Sequence, residues 1–519
     1  MNRRELLQKS AALVTTFSIG HHFARAAEGN PFTLGVASGS PSPDGFVLWT
    51  RLAPMPLALD GLGGMEGAVP VTWTIAADDA MRKIVQSGTI EANSKSAHSV
   101  HVEVSGLQPN RPYWYRFTAL GAQSSIGRSR TTPTPNAQVN RMRFAFASCS
   151  NWQVGYFSAY RHMAEEDPDL VIFLGDYIYE STYTGNNADR VLRPHDGPTA
   201  ADLTGYRNRY ALYHTDPDLQ ALHASAPCLM TWDDHEVEND YASEWSQRTE
   251  TSLETFRERR AAAYQAYYEH MPLRTTAIPR GSSLRLYDRF RFGNLATFTM
   301  LDGRQYRTKQ PCETPRFRGA HLALATCEDI KDPNRSLLGA EQEQWLFDGF
   351  KQTDAAWNIL GQEQLVAKLR QQTRSGEPAI WTDGWDGYPG SRQRMLDAII
   401  ANRVANPVFI GGDIHSYWAT DLKANFDDPK SPTVATEFVG TSITSDPSPH
   451  ETFARLLPEN PHVRYFESRH RGYVAVDLTS NRMETRFQVI SDRRDAKAKV
   501  STLQRFAVES GRPTVVQLP

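Results

Sequence analysis

The sequence predicts a two-part chain: an N-terminal β-sandwich followed by a larger α/β domain of layered sheets and helices. Three observations carry this. Residues 32–135 hold short alternating runs broken by Gly, Pro, Asp and Asn, the pattern of a small all-β unit. From about Arg141 to residue 490, apolar runs of strand length alternate with helix-like segments, which indicates α/β layering. Polar clusters stand where several of these later runs stop, the place where such folds gather functional groups.

At 519 residues the chain has room for two or more domains. Lys and Arg number 56 against 59 Asp and Glu, a formal charge of −3, so no polycationic surface recommends a nucleic-acid partner. After the N-terminus no apolar run approaches the ~18–20 residues that span a bilayer, and the chain does not read as an integral membrane protein. In residues 1–26, Arg3-Arg4 precedes a weakly apolar stretch and the small-x-small site Ala24-Arg25-Ala26. This resembles a twin-arginine (Tat) export signal, with a Sec signal as the alternative. It makes the Tat machinery a partner, the periplasm or exterior the destination, and Ala27 the approximate mature start.

In the sandwich region, runs such as VPVTWTIAADD and SVHVEVSGL are separated by turns. LQPNRPYWYRF, with Leu107, Pro109, Tyr113 and Tyr115, resembles the tyrosine corner of fibronectin type III and immunoglobulin-like folds. Trp49, Trp73 and Trp114 are expected in core packing, and TTPTPNAQ reads as a linker.

Beyond it, RFAFA, LVIFLG, CLMTW, ATFTMLD, AWNILG and PVFIGG read as strands. FSAYRHMAEE, GAEQEQWLFDGFKQ and SRQRMLDAIIANRV read as helices. The Arg/Tyr-rich segment 251–270 is expected to be a solvated helix with one packed face. DRRDAKAKVSTLQRFAVES reads as amphipathic, so 491–519 is expected to be a helical extension that packs on the domain or folds over its site.

The strand-end clusters carry the chemistry. RFAFA ends on Ser148-Cys149-Ser150-Asn151, and LVIFLG runs into Asp176 with Tyr179 three residues on. A carboxylate at a strand end can bridge two metal ions, and Tyr179 can return to one of them if a helical turn begins there; the plainer alternative is a helix cap. WDDHEVEND places Asp233, Asp234, His235 and Glu236 together, with Asn239 a turn later. Adjacent carboxylates repel unless cations compensate. Asp413 and His415 in GGDIH would share a face if extended. DGWDGY is a weaker signal, whose Trp385 and Tyr388 are expected to wall a substrate pocket. Thiol, phenol, carboxylate, amide and imidazole together suit one softer metal beside a harder one.

GDYIY, DDHE with the trailing Asn239, and GGDIH, in that order, resemble the calcineurin-like metallophosphoesterase pattern. SCSN, TWDDHEVEND, the leader and FTLGVASGSPSPDGFVLWTRLAP resemble the PhoD-type alkaline phosphatases over most of the chain. The resemblance implies a metal-dependent phosphoester hydrolase, a small-molecule phosphate ester as substrate, and ferric iron (Fe3+) and calcium (Ca2+) in the site. Carried over by motif, Cys149, Asp176 and Tyr179 hold iron, Asp176 bridges to calcium, and Asn239 and Asp413 are further ligands. Asp233, Asp234, His235 and His415 lie in matching motifs, with His235 the candidate for phosphate contact or leaving-group protonation. GGDIH stands where many relatives have GHxH, so one His ligand is missing from the wider pattern.

A phosphodiesterase or phospholipase with the same metals is the near alternative. An exported calcium-binding adhesion protein is the remote one, and it leaves Cys149 and Tyr179 without a role. Cys312 and Cys327 can close a loop in an oxidising compartment, and Cys228 is expected in the core.

Overall fold

The computed structural model describes residues 29–519, so the export signal expected in 1–26 lies outside the described residues. Strands Arg141–Ala147, Leu170–Leu174 and Cys228–Thr231 run parallel to one another. The last two are buried throughout, as expected where both faces of a parallel sheet are covered. Alternation along the first strand divides the core. Phe144 and Phe146 face a second sheet, while Ala145 and Ala147 face a layer of helices.

These strands are the middle of a ten-stranded sheet that runs from Arg512–Leu518 at one edge to Ser99–Val104 at the other. A seven-stranded sheet faces it, with parallel strands Ala296–Met300, Trp357–Gly361, Pro407–Gly411 and Thr433–Val439 at its centre. Phe298, Ile359, Ile410 and Phe438 meet Phe144, Phe146, Ile172 and Leu174 between the sheets. Helices Ser158–Glu165, Leu203–His214, Pro217–Ser225 and Leu253–His270 cover the outer face of the first sheet. Ala340–Phe350 and Pro389–Ala401 cover that of the second. Local signals agree with the layers: Asp216 caps Pro217–Ser225 with Pro at the first position, and Ser252 caps Leu253–His270.

In the N-terminal unit, Val36–Ser42, Gly45–Arg51 and Ser99–Val104 pack against a sheet built from Val69–Ala76, Ile84–Ala92 and Pro112–Ala119. Val36, Phe46, Leu48, Val71, Ile75, Val102, Tyr115 and Phe117 fill the space between. The Tyr113 hydroxyl accepts the Gln108 N–H at 3.0 Å, five residues upstream. Val36–Ser42 also pairs with Cys228–Thr231, so this unit extends the central sheet instead of standing apart from it. Trp49 is buried at the junction, donating its indole N–H to the Glu269 carbonyl at 2.9 Å. Trp73 and Trp114 are half-buried.

Two expectations are corrected. The C-terminal segment is no helix: Val500–Glu509 and Arg512–Leu518 form a hairpin at the edge of the ten-stranded sheet. Ser510-Gly511 makes the turn, with Gly511 at φ 78°, and the β-branched residues of VSTLQRFAVE fit a strand. Helix Leu253–His270 is not largely solvated. Tyr264, Ala266, Tyr267, Glu269 and His270 are all buried, because its last turns are wedged between the sheet and the N-terminal unit. Cys312 and Cys327 are disulfide-bonded, and Cys228 is a buried free thiol.

Phe506 is fully buried beside Phe487, Tyr465 and Phe438. Phe506→Ala is expected to lower unfolding free energy by about 3–5 kcal/mol, measured by urea titration. A loss below about 1 kcal/mol would contradict a core role for the C-terminal hairpin.

Candidate metal centre

The Cys149, Asp176 and Asp233 clusters follow the carboxyl ends of three neighbouring strands in the first sheet. Asp413 follows Pro407–Gly411 of the second. The site therefore forms where the two sheets present the same kind of edge. Cys149, Asp176, Asp413 and His415 all have φ between 52° and 60°, the left-handed region that non-glycine residues seldom occupy and that clusters at functional sites. Two glycines allow the close approach. A Cβ on Gly175 would stand 2.4 Å from that of Asp233, and one on Gly412 would stand 2.3 Å from Ser148 Oγ.

Buried Glu236 binds the first two loops together. Its carboxylate accepts the N–H groups of Asp176 at 3.2 Å, Tyr177 at 2.5 Å and Asp233 at 2.8 Å. Tyr179 donates its hydroxyl to Asp176 Oδ2 at 2.8 Å and accepts from Ser445 at 2.6 Å. His415 Nε2 lies 3.2 Å from the same hydroxyl. Ligand atoms of Cys149, Asp176 and His415 all lie within 4.8 Å of one another, as do those of Asp176, Asp234 and His235. Asp176 belongs to both groups.

Charge is concentrated here without enough compensation. Burial pushes the carboxyls of Asp176 and Asp413 well above the usual range, and that of Asp233 to about 6. Burial, then the nearby Asp176 charge, pushes the Cys149 thiol up. Asp233 Oδ2 and Asp234 Oδ1 are buried and accept no hydrogen bond from the described residues. Such atoms, beside a thiol and a phenol, form a donor set that fits metal cations.

The two histidines differ. Burial opposes a charged His235, but Glu180, Asp176 and Asp234 outweigh it and hold the ring protonated. Its Nδ1 lies 2.6 Å from Glu180 Oε2, and the ring packs on Tyr179 at 4.1 Å. Burial, followed by the Arg471 charge, lowers His415 to about 3, leaving it neutral.

Cations of the protein hold the rear of the site. Arg304 is fully buried and reaches Asp233 at 2.5 Å and Asp383 at 2.8 Å, while Arg307 reaches Asp383 at 3.0 Å. In DGWDGY, Asp383 thus clamps two arginines. Trp385 lines a cavity beside the site, but Tyr388 does not wall it: its hydroxyl donates to the Thr308 carbonyl from full burial.

Other expectations divide. Asp413 and His415 line one cavity, but through left-handed backbone, not extended chain. Tyr179 meets Asp176 across a bend, without a helical turn. The Asn239 side chain engages Asp240, and its backbone N–H donates to Glu180 at 3.2 Å. Arg161 and Arg207 are taken up by ion pairs with Asp218 and Glu269. The orienting roles of Glu180, Glu236 and Ser445 are not foreseen by sequence reasoning. Glu180 closes GDYIYE and Glu236 follows DDH, so both stood inside motifs, but nothing in sequence reports an orienting hydrogen bond.

Residues 144–487 match the model of the PhoD-like phosphatases, and residues 18–133 match the model of their N-terminal domain. The chain belongs to the PhoD-like phosphatase family and is a phosphoric ester hydrolase, which sets aside the adhesion-protein alternative. Among individual proteins, it is 43% identical to alkaline phosphatase D of Bacillus subtilis (strain 168) over 509 residues, 96% of this chain and 85% of that protein. A solved structure of PhoD is similar with a TM-score of 0.88 and 44% identity, covering 94% of this chain and 92% of the other. A shorter likeness, 32% over 85 residues, links it to purple acid phosphatase 23 of Arabidopsis thaliana, across 16% of this chain and 19% of that one.

Arg304→Met removes the partner of two buried carboxylates. Asp383 keeps Arg307, but leaving Asp233 without its cation is expected to cost about 3–5 kcal/mol, read as a fall in unfolding free energy. An unchanged stability would show that the carboxylates find other compensation.

Proposed function

We propose that this chain is an exported alkaline phosphatase that works with ferric iron and calcium. One observation carries the reading: Asp176 is common to both groups of potential ligands, beside buried carboxylate oxygens that have no hydrogen-bond partner among the described residues. Cys149, Asp176 and Tyr179 would hold Fe3+, since a thiolate and a phenolate donate strongly to a trivalent ion. Asp176, Asp234, Asn239 and Asp413 would serve Ca2+, which favours oxygen, with Asp233 and His415 completing the surroundings. Bound there, the cations supply Lewis acidity that offsets negative charge on the phosphoryl oxygens.

The chain's own residues do the rest. His235, fixed by Glu180 through Nδ1, offers Nε2–H to the leaving oxygen as general acid. Neutral His415 keeps a lone pair for a ligand. Arg304 and Arg307 hold Asp383 and Asp233 in place from behind. Support for export comes from the Tat-like leader and from the Cys312–Cys327 disulfide, a bond typical of oxidising compartments. The N-terminal unit, with its tyrosine corner and two-sheet core, supports a fibronectin-like sandwich. Monoester and diester hydrolysis share this site, and the pocket for the organic group separates them.

Elemental analysis of natively exported protein is expected to find about one iron with calcium per chain. Cys149→Ala should lose the iron, and Tyr179→Phe should lose any phenolate-to-iron absorption in the visible. Zinc or manganese in place of iron would overturn the thiolate–phenolate assignment. His235→Asn is expected to reduce kcat about 10²–10⁴-fold with metal content unchanged. A lowered metal content would make His235 a ligand.

A further inference from the structure

Asp413 and His415 line a cavity of about 270 Å3 whose wall combines polar and apolar side chains. Asp240 and Gln364 contribute polar groups near the metal-binding loops. The remaining wall is largely apolar, with Leu365, Leu369, Ile414 and Phe453 forming a contiguous patch. Trp381 stands at the same cavity with 41% of its surface exposed. A large aromatic left exposed beside a reactive site is more informative than a lone surface residue.

The wall is also built to stay in place. Glu437 is buried and accepts the N–H groups of Val366 at 2.6 Å and Ala367 at 3.0 Å. Asp386, paired with Arg392, accepts that of Leu369 at 2.9 Å. Two carboxylates thus fix the backbone of a short segment whose apolar side chains face the cavity. A preformed apolar wall lowers the ordering cost of binding.

We infer that this cavity receives the organic group of the substrate, and that the enzyme selects phosphate esters carrying a short alkyl chain or a single ring over esters of small polar alcohols. The inference rests on the phosphatase reading of the adjoining loops. Continuity supplies the occupant: the cavity that holds the apolar patch is lined by Asp413 and His415 themselves, so a phosphoryl group at those loops directs its substituent along the wall. The volume sets the size. It falls just under the ~300 Å3 at which pockets for drug-sized ligands begin, which suits one ring or a chain of a few carbons, not a diacyl lipid.

The test compares n-hexyl phosphate with ethyl phosphate on the metal-loaded full chain, since the two leaving alcohols have nearly equal basicity. Each fully buried methylene is worth roughly four-fold in affinity, so four of them bound the preference at roughly 200-fold. At a partly open cavity, kcat/KM is expected to favour the hexyl ester by about ten-fold or more, mainly through KM. Trp381→Ala combined with Phe453→Ala should reduce the hexyl-to-ethyl ratio at least about five-fold. A wild-type ratio within about two-fold of unity would overturn the inference and leave the phosphatase reading standing, whether or not the variant folds. Hydrolysis of neither ester would overturn both.

Discussion

The structure depends on placing many carboxylates in one dry region. Asp176, Asp233, Asp234 and Glu236 are buried beyond strand ends of the ten-stranded sheet, and Asp383 is buried beyond strand Pro378–Trp381 of a small three-stranded sheet, where isolated charges are costly. Among the described residues, Arg304, Arg307 and His235 bring positive charge among them. The fold tolerates this because it divides the load. Glu236 is spent on three backbone N–H groups, Asp383 on two arginines and Glu180 on an imidazolium. Asp233 Oδ2 and Asp234 Oδ1 remain without a hydrogen-bond partner among the described residues, and Asp234 belongs to one of the two groups of potential ligands.

That division also separates residues that position from residues that bind. Asp176 has its N–H held by Glu236 and one carboxylate oxygen held by Tyr179, while Tyr179 is held by Ser445. Each donor is oriented by a partner that is itself buried, which fixes geometry before any ligand arrives. Three of the four left-handed positions meet the same group of contacts: Asp176 through Glu236 and Tyr179, His415 through the Tyr179 hydroxyl, and Cys149 through its carbonyl to Ser445 at 3.0 Å. Strain at four positions would relax if the loops were not tied down.

Much of this was legible in the sequence. Alternation of apolar runs gave every strand that bears a proposed ligand, because parallel strands buried on both faces read as unbroken apolar stretches. The site residues could be named because they follow those runs directly. The C-terminal hairpin was misread because charged residues spaced through DRRDAKAKVSTLQRF imitate a helical stripe, while the turn at Ser510-Gly511 carries only a local signal. The burial of helix Leu253–His270 was invisible for another reason. Its tyrosines and histidines look polar in sequence, and only the contact with the N-terminal unit shows what covers them. Glu236 and Glu180 could be seen, but not what they bind.

The aromatic layer behind the site gives the N-terminal unit a mechanical role. The Tyr177 hydroxyl, one residue from Asp176, lies 2.7 Å from His223 Nε2 and 3.2 Å from His214 Nε2. His214 packs against Trp49 at 4.8 Å, and Arg51 of the same strand reaches His270 at 2.7 Å. Burial holds these three imidazoles neutral, so the layer adds no charge to a region that already has an excess. It supplies rigid rings and directed hydrogen bonds where flexible aliphatic side chains would let the loop shift. Strand Gly45–Arg51 therefore braces the loop that bears Asp176 through a continuous stack. The shared sheet edge at Gly39 and Cys228 follows from the same requirement: a brace attached by a flexible linker could not hold a carboxylate in place.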